Sequence, residues 1–156
     1  MRWKKRLTAC TLLLVCLLMG CSGVANIYDD NSRIASDTNT FNLDEIEQEI
    51  QGTTFSASVE RMEGMDTVWT MESAETTDID IAYDITSYSG KVKLVLISPD
   101  GELTTLVECT SDTNSSDNTT LSLQQGEYRI KLVAGENTKF DISLSVTDGT
   151  LHELGL

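Results

Sequence analysis

The chain has 156 residues and a formal charge of −14 at pH 7, with 25 acidic side chains against 11 lysines and arginines. So acidic a surface repels nucleic acid and anionic lipid headgroups, and no nucleic-acid partner is expected. The length is sufficient for one domain with a core of its own.

The first 21 residues have the order of a secretory signal. A basic run ends at Arg6 and is followed by an apolar run from Leu7 to Met19. This apolar run has about 13 residues, fewer than the roughly 20 that a helix needs to cross a bilayer. We therefore expect an export signal rather than a permanent transmembrane span.

The end of this signal, Leu18-Met19-Gly20-Cys21, resembles the lipobox of bacterial lipoproteins. The resemblance implies that a diacylglyceryl group is attached to the thiol of Cys21 and that cleavage occurs between Gly20 and Cys21. Two or three acyl chains are enough for stable anchoring in a membrane. The expected organisation is a lipoprotein signal peptide at 1–20, a lipidated cysteine with a flexible tether at 21–41, and a folded domain at 42–156. The domain would lie on the extracytoplasmic face of the cell membrane, which is the periplasmic side if the cell has an outer membrane.

Processing at this position also changes the charge and the thiols of the chain. Loss of the four basic residues of the leader takes the formal charge from −14 to −18, because all 25 acids remain. Cys10 and Cys16 leave with the leader and Cys21 carries the lipid, so Cys109 has no partner for a disulfide within the domain. We expect Cys109 to be a small buried apolar side chain rather than a nucleophile.

The segment after the lipidation site is polar. Residues Ser22 to Thr40 are rich in Ser, Asn, Asp and Thr and show no apolar periodicity. They are predicted to form a flexible tether. Nineteen flexible residues would reach about 25 Å on average, which keeps the domain close to the bilayer.

A short helix is predicted at the start of the folded domain. Asn42 offers an N-cap, Leu43, Ile46 and Ile50 fall at helical spacing, and Gly52 can end the helix. With only three apolar residues on one side, this helix is expected to pack on the protein's own sheet rather than to dock into a partner.

From Thr53 onward, apolar and polar residues alternate with a period of two, the pattern of half-buried β-strands. Eight short strands and almost no helix indicate an all-β fold. The predicted architecture is an antiparallel two-sheet β-sandwich, of jelly-roll or immunoglobulin-like kind, with one short N-terminal helix. Five of the inward positions are predicted to share one apolar layer: Ile81, Tyr83, Leu94, Ile130 and Ile142.

Turn sequences suggest how the strands are connected. Ser98-Pro99-Asp100-Gly101 is a turn signal, with proline fixing φ and glycine free to take a positive φ. The polar run Ser111 to Asn118 is predicted to be a loop. The run Lys93 to Ile97 is apolar on both faces, which predicts a central strand whose outer face is covered by the helix or by a loop.

Outward charges suggest two hairpins. A hairpin that registers Ile85 with Val92 would place Asp84 opposite Lys93. A second hairpin, turning across the segment 134–137, would place Lys131 opposite Asp141.

Two segments resemble the paired strands of secreted bacterial β-sandwich domains of the pre-peptidase C-terminal type. They are Ser89 to Gly101, which ends in the proline–glycine turn, and Gln125 to Val133, with its Gly-x-Tyr-x-Ile pattern. The resemblance implies an accessory module without catalytic residues.

The sequence offers no arrangement of residues for catalysis. His152 is the only histidine and lies in a short tail without a nucleophile motif nearby. No serine-hydrolase, zinc-protease or phosphate-loop motif occurs in the sequence. We therefore expect that the protein has no catalytic residue and no cofactor and that it is not an enzyme.

Acidic residues leave two metal hypotheses open. Asp78, Asp80 and Asp84 share the outer face of one strand, where a solvated face with cross-strand lysines is favoured over a site. The oxygen-rich segment Asp112 to Asn118 is the better Ca²⁺ candidate, but it lacks the glycine and the final glutamate of a calcium loop. A mobile polar loop without metal is the preferred interpretation. Among the aromatic residues, Trp69 is predicted to lie in the core, and Tyr88 is left undecided as a sugar-stacking residue.

Two functions remain open from the sequence. The leading hypothesis is a membrane-anchored extracytoplasmic lipoprotein that acts as a non-catalytic binding or interaction module, with an unknown protein or envelope polymer as its partner. The alternative is an accessory or regulatory lipoprotein subunit of a membrane transport, sensor or enzyme complex.

Overall fold

A computed structural model describes Val24 and residues 26–156 and shows a chain that is almost entirely antiparallel β. This confirms the predicted all-β antiparallel class. A 3₁₀ turn (Ile27–Asp29) and helix α1 (Asn31–Ala35) come first. The strands are β1 (Thr40–Gln51), β2 (Thr54–Ser73), β3 (Thr77–Ser89), β4 (Lys91–Ile97), β5 (Leu103–Thr110), β6 (Thr113–Leu123), β7 (Gly126–Val146) and β8 (Thr150–Leu151).

The strands are joined in one continuous hydrogen-bonded sheet with the order β1-β2-β7-β3-β6. Two long strands organise it, β2 with 20 residues and β7 with 21. The first part of β7, up to Ala134, pairs with β4, and the part from Lys139 onward pairs with β3. We call the strands around the first part the β4 arm, which includes β5 and β8, and those around the second part the β3 arm, which includes β1 and β6.

The two arms share one hydrophobic core. Ile81 and Ile85 of the β3 arm belong to the same buried cluster as Val92 and Leu94 of the β4 arm. The arms also contact each other through polar atoms, since the hydroxyl of Tyr83 donates to the carbonyl of Leu106 at 3.1 Å. All five residues predicted for the apolar layer are at most 8% exposed, which confirms their inward phase.

Strand β7 corrects the predicted hairpin across residues 134–137. Leu132 and Phe140 are both buried, although the exposed Glu136 and Asn137 interrupt the alternation between them. Strand β2 runs beside β7 along both parts, with register shifts between Val59 and Gly64. The segment with glycine and asparagine is therefore an irregularity in one long strand rather than a turn.

The predicted charge pairs across the strands are also wrong. Asp84 lies opposite Ser116 on one side and Ser143 on the other, because β3 pairs with β6 and β7 and not with β4. Lys131 lies opposite Thr67 and Val95. Local charge alternation did not identify the partner strands, since several strands carry polar residues at outward positions and so offer many similar pairings.

Strand β1 occupies the segment that the spacing predicted to be a helix ending at Gly52. Leu43 and Ile46 both pack against the core although only two residues, Asp44 and Glu45, separate them. Glu45 has a positive φ of 48° and is skipped in the pairing with β2. This irregularity shifts the alternation by one residue and so imitates helical spacing. Ile50 stays 38% exposed.

The described part of the predicted tether is a packed segment instead. Ile27, Tyr28 and Ile34 are at most 4% exposed and lie in a second cluster, on the outer side of the β4 arm. The β-strand residues of this cluster are Met65, Val95, Ile97 and Val133. We call Val24 and residues 26–38 the N-terminal strap. The strap covers the outer face of β4, which confirms the prediction of a central strand with a covered outer face. The cover is the strap and not the predicted helix.

The turn at Ser98-Pro99-Asp100-Gly101 is confirmed. The amide of Gly101 donates to the carbonyl of Ser98 at 2.9 Å, and Gly101 has a φ of 82°. In contrast, the predicted loop at Ser111–Asn118 is only a two-residue turn, since β6 begins at Thr113. Neither helix among the described residues has the length and hydropathy to span a membrane.

Candidate binding face and N-terminal strap

The predicted lipidation and cleavage residues, Cys21 and Gly20, lie outside the described residues. The first described position after them is Val24, whose carbonyl accepts a hydrogen bond from the amide of Ile27 at 3.2 Å. A Cβ atom added to Gly64 would lie 2.9 Å from a methyl carbon of Val24 and only 2.1 Å from the carbonyl oxygen of Thr40. The start of the strap is therefore held against the irregular part of β2. We call this part of β2 and the adjacent part of β7 (62–64 and 134–138) the β2–β7 bend.

Lys131 fastens the far end of the strap. Its side chain is fully buried, and its Nζ donates hydrogen bonds of 2.7 Å to the carbonyl oxygens of Ser36 and Thr38. Burial lowers the pKa of Lys131 to about 8, and the neighbouring Arg129 charge acts in the same direction. A buried ammonium group needs such acceptors, because an unpaired one is costly to desolvate.

Further contacts fix the strap along its length. The Nη2 of Arg129 donates to the carbonyl of Ala35 at 3.0 Å, and its Nη1 forms an ion pair with Asp37. At the other end, the ring of Tyr28 lies under the ammonium groups of Lys91 and Lys93, at 4.0 and 4.4 Å from the ring centroid. Cation–π contacts of this kind are each worth about 0.5–2 kcal/mol.

The hydroxyl of Tyr28 donates a hydrogen bond of 2.8 Å to Glu108 of β5. Burial, followed by this hydrogen bond, raises the pKa of Tyr28 far above its usual range. The pKa of Lys93 is lowered, mainly by burial. Sequence analysis missed these residues. The sequence did contain a signal for the strap. The strap has apolar residues in an otherwise polar segment, and these match the apolar outward-facing residues Val95, Ile97 and Val133 on the strands.

The solvent side of the β3 arm is not covered by the strap. We call the solvent side of the β3 arm the open face. It contains a shallow depression of about 560 Å³, in which no lining residue is basic or aromatic among those described. The lining side chains are mostly hydroxyls and carboxylates, and the charged ones are Glu47, Glu49, Asp84 and Asp141. Such a surface can donate and accept hydrogen bonds at many positions but offers no ring for stacking.

Hydroxyl groups and carboxylates on the open face bond to one another across strands. Asp80 accepts a hydrogen bond of 2.6 Å from Thr120, and Asp78 accepts one of 2.6 Å from Ser122. Asp84 accepts one of 2.9 Å from the amide group of Asn114. The three aspartates are exposed on one strand face, as predicted, but their partners are hydroxyls and an amide rather than lysines.

Tyr88 lies beside this depression and is 46% exposed. Its hydroxyl donates a hydrogen bond of 2.6 Å to Asp141, and this bond raises the pKa of Tyr88. Lys139 approaches the Tyr88 ring at 6.0 Å. Tyr88 is therefore the one described aromatic residue near the open face whose ring has a substantial accessible surface.

The segment Asp112–Asn118, the calcium candidate, forms the turn into β6 and the first part of that strand. Asp117 uses one carboxylate oxygen to accept from the amide of Asn118 at 2.7 Å. Within residues 26–156, no group of three or more His, Cys, Asp or Glu residues is arranged to hold a metal ion.

The remaining predicted chemical groups have structural contacts. Cys109 is 1% exposed, and Trp69 is fully buried, as predicted for both. The Trp69 indole donates to the carbonyl of Asp148 at 2.9 Å. His152 lies 2.8 Å from the hydroxyl of Thr70. These residues do not come together in one site.

Charge is distributed unevenly between the two sides. Five of the seven basic residues after Cys21 lie in the strap or beneath it, together with four acids: Arg33, Lys91, Lys93, Arg129 and Lys131 with Asp29, Asp30, Asp37 and Glu108. Asp100 and Glu127 also lie beside the strap, in a depression that they share with Ala35 and Asp37. The strap side therefore contains most of the basic residues of the domain together with several acids. The four acids of the open-face depression make no ion pair among the described residues, although Glu60, outward on the neighbouring part of β2, pairs with Lys139.

The sequence matches no protein-family profile and no curated protein. Among solved structures, the chain is similar to carbohydrate-binding modules. One is a variant of a family 29 module in complex with mannohexaose, at 14% identity and a TM-score of 0.39, over 70% of this chain and 80% of that chain. A second is TmCBM61 in complex with β-1,4-galactotriose, at 12% identity and a TM-score of 0.42, over 70% of this chain and 88% of that chain. A third is a module of Cellvibrio mixtus lichenase 5A in complex with cellotriose, at 12% identity and a TM-score of 0.37, over 71% of this chain and 91% of that chain. At this distance the similarity concerns the course of the chain and says nothing about a ligand.

Proposed function

We propose that this chain is a lipid-anchored extracytoplasmic lipoprotein whose β domain is a non-catalytic binding module at the cell envelope. The observation that carries the proposal is the leader, a basic and then apolar run that ends in Leu18-Met19-Gly20-Cys21. Acyl chains on Cys21 would anchor the protein in the membrane. In this proposal the β3 and β4 arms are the two layers of a β-sandwich, with the strap on one outer side and the open face on the other.

The binding surface in this proposal is the open face. Its depression is uncovered, and its hydroxyl groups and carboxylates can hydrogen-bond to the hydroxyl, amide and amino groups of an envelope polymer. Asp84 and Asp141 are two of the four carboxylates that line the depression. His152 and Cys109 have the most reactive side chains, but neither lines the depression. His152 contacts Thr70, and Cys109 is buried.

A second candidate is an accessory or regulatory subunit of a membrane transport, sensor or enzyme complex. The observation that favours it is β6, which pairs only with β3 over 11 residues. The free edge of a strand is a template for a strand of a partner protein.

Anchoring can be tested with Cys21→Ser in the full chain expressed in bacteria. A hydroxyl cannot replace the thiolate in thioether formation, so the variant should accumulate as an unprocessed precursor without lipid. Mass spectrometry of the membrane fraction measures both properties. Cys16→Ser is the matched control, because it removes another thiol of the same leader. A parent protein that is membrane-bound but carries no acyl mass would contradict the proposal.

Binding can be tested by retention of the soluble chain from Ser22 to Leu156 on purified envelope polymer. We expect the double variant Asp84→Asn with Asp141→Asn to be retained less, because it removes two carboxylates from the open face. The control is Glu75→Gln with Glu127→Gln, which removes the same charge from exposed positions outside the depression. Equal retention of the two variants would exclude the open face as the binding surface.

A further inference from the structure

The strap places the lipidation site close to one defined part of the domain. Val24 is the third residue after Cys21, and three extended residues span at most about 11 Å. Val24 itself is positioned by its hydrogen bond with Ile27 and by its contact with the β2–β7 bend at Gly64. Lipid on Cys21 would therefore lie within a short and bounded distance of this bend.

The strap cannot lengthen the connection without a cost in packing. Release of the strap would expose the buried side chains of Ile27, Tyr28 and Ile34 and the apolar strand face beneath them. It would also remove the two carbonyl acceptors from the buried Nζ of Lys131. The strap should consequently stay docked when the protein is anchored.

Charge favours the same orientation. The strap side holds five of the seven basic residues after Cys21 together with several acids, whereas the depression of the open face is lined by Glu47, Glu49, Asp84 and Asp141 and by no basic residue among those described. An anionic membrane surface repels carboxylates that come within about a Debye length of 8–10 Å. The open face is therefore the side that such a surface turns outward.

From the short connection, the docked strap and the charge distribution, we propose that the strap and the β2–β7 bend form the membrane-facing surface of the domain. The partner is an anionic lipid bilayer, and the open face is directed away from it. This inference rests on the proposed lipidation of Cys21. It deepens the proposed function, because a rigidly held open face would be presented to ligands on the outer side.

The orientation can be measured with acylated full chain reconstituted into vesicles of phosphatidylethanolamine and phosphatidylglycerol. A single fluorophore is attached to Glu136→Cys, in the β2–β7 bend, or to Gln51→Cys, at the tip of the β1–β2 hairpin, both in a Cys109→Ala background. Both positions are exposed, and Thr54 beside Gln51 lies roughly 30 Å along β2 from Gly64. Quenching by nitroxide groups on the lipid headgroups should be strong at Glu136 and weak at Gln51.

A chain with ten Gly and Ser residues inserted between Gly23 and Val24 is the matched control. It keeps the domain and the anchor but lengthens the connection, so the difference between the two labels should be lost. Equal quenching at both positions in the parent, or an unchanged difference after the insertion, would overturn the inference. Mass spectrometry of the same sample separates the two proposals. Absence of acyl mass contradicts the proposed lipoprotein, whereas acylated protein with equal quenching contradicts only the orientation.

Discussion

Gly64 is the residue at which the sheet irregularity, strand β1 and the strap meet. Its φ is 107°, and a Cβ atom there would come within 3 Å of Thr40, Phe41 and Val24. Gly64→Ala should therefore lower the free energy of unfolding by more than the roughly 1–2 kcal/mol of left-handed strain alone. Urea unfolding measures the difference.

Gly101→Ala is the matched control for Gly64→Ala. Gly101 also has a positive φ of 82°, but no atom lies within 4 Å of an added Cβ. Its substitution should cause only the backbone strain. Equal losses of stability in the two variants would show that the close approach of Val24 and β1 to Gly64 is unimportant.

Lys131 makes the stability of the protein depend on pH in the alkaline range. Its pKa is lowered from 10.5 to about 8 by burial, so between these values the unfolded chain binds more protons than the folded one. The contribution of Lys131 to the free energy of unfolding should therefore rise with pH across this window, by at most about 1.4 kcal/mol per pH unit, while the raised pKa values of Tyr28 and Cys109 contribute with the opposite sign. Urea unfolding at several pH values should show a smaller rise in Lys131→Met than in the parent.

Part of that rise should persist in the variant, because burial also lowers the pKa of Lys93. Lys139→Met is the matched control, since it replaces a partly exposed lysine that pairs with Glu60. If Lys131→Met and Lys139→Met show the same pH dependence, burial of Lys131 is not its source.

At the scale of elements, the strap is predicted to be part of the folded domain. A chain that begins at Asn39 lacks Ile27, Tyr28 and Ile34 and leaves the outer face of β4 in water. Each fully buried side chain of this size contributes about 1.5–3 kcal/mol, so the short chain should be less stable by several kcal/mol than a chain that begins at Ser22. It should also bind a hydrophobic dye. Equal urea midpoints for the two chains would contradict a stabilising role of the strap and would support the flexible tether predicted from the polar composition.

Local patterns predicted elements unevenly, and the reasons lie in particular residues. The turn at Pro99-Asp100-Gly101 was predictable because its residues fix their own backbone angles. Strand β1 was predicted to be a helix because the positive φ of Glu45 shifts its apolar residues to a spacing of three. Strand β7 was divided in two because Gly135 and Asn137 resemble a turn, although β2 supplies pairing partners on both sides of them.

At the scale of the whole molecule, stability should be independent of calcium. The melting temperature in excess EDTA should equal that in millimolar Ca²⁺ when sodium chloride balances the ionic strength. A specific site would raise stability by about 2.7 kcal/mol at a hundredfold excess over Kd, which a melt would reveal. Balanced salt is needed because general screening of the net charge, −14 for the full chain, also stabilises the fold.

Asp112→Ala with Asp117→Ala identifies the source of any calcium effect. A calcium-specific rise in the parent that disappears in this double variant would make the turn into β6 a metal site. A rise that remains would direct attention to the carboxylates of the open face, such as Asp78, Asp80 and Asp84.

The sequence by itself determined the all-β class, the inward phase of residues such as Ile81 and Leu94, and the covered outer face of β4. These follow from short-range rules, because alternation with a period of two and runs that are apolar on both faces report burial directly. Only the tertiary structure decided that β3 pairs with β6 and β7, and that a polar N-terminal segment is a docked strap. Strand partners are chosen among many outward polar positions of similar energy, and Ile27 and Ile34 are buried only because a distant strand face lacks another cover.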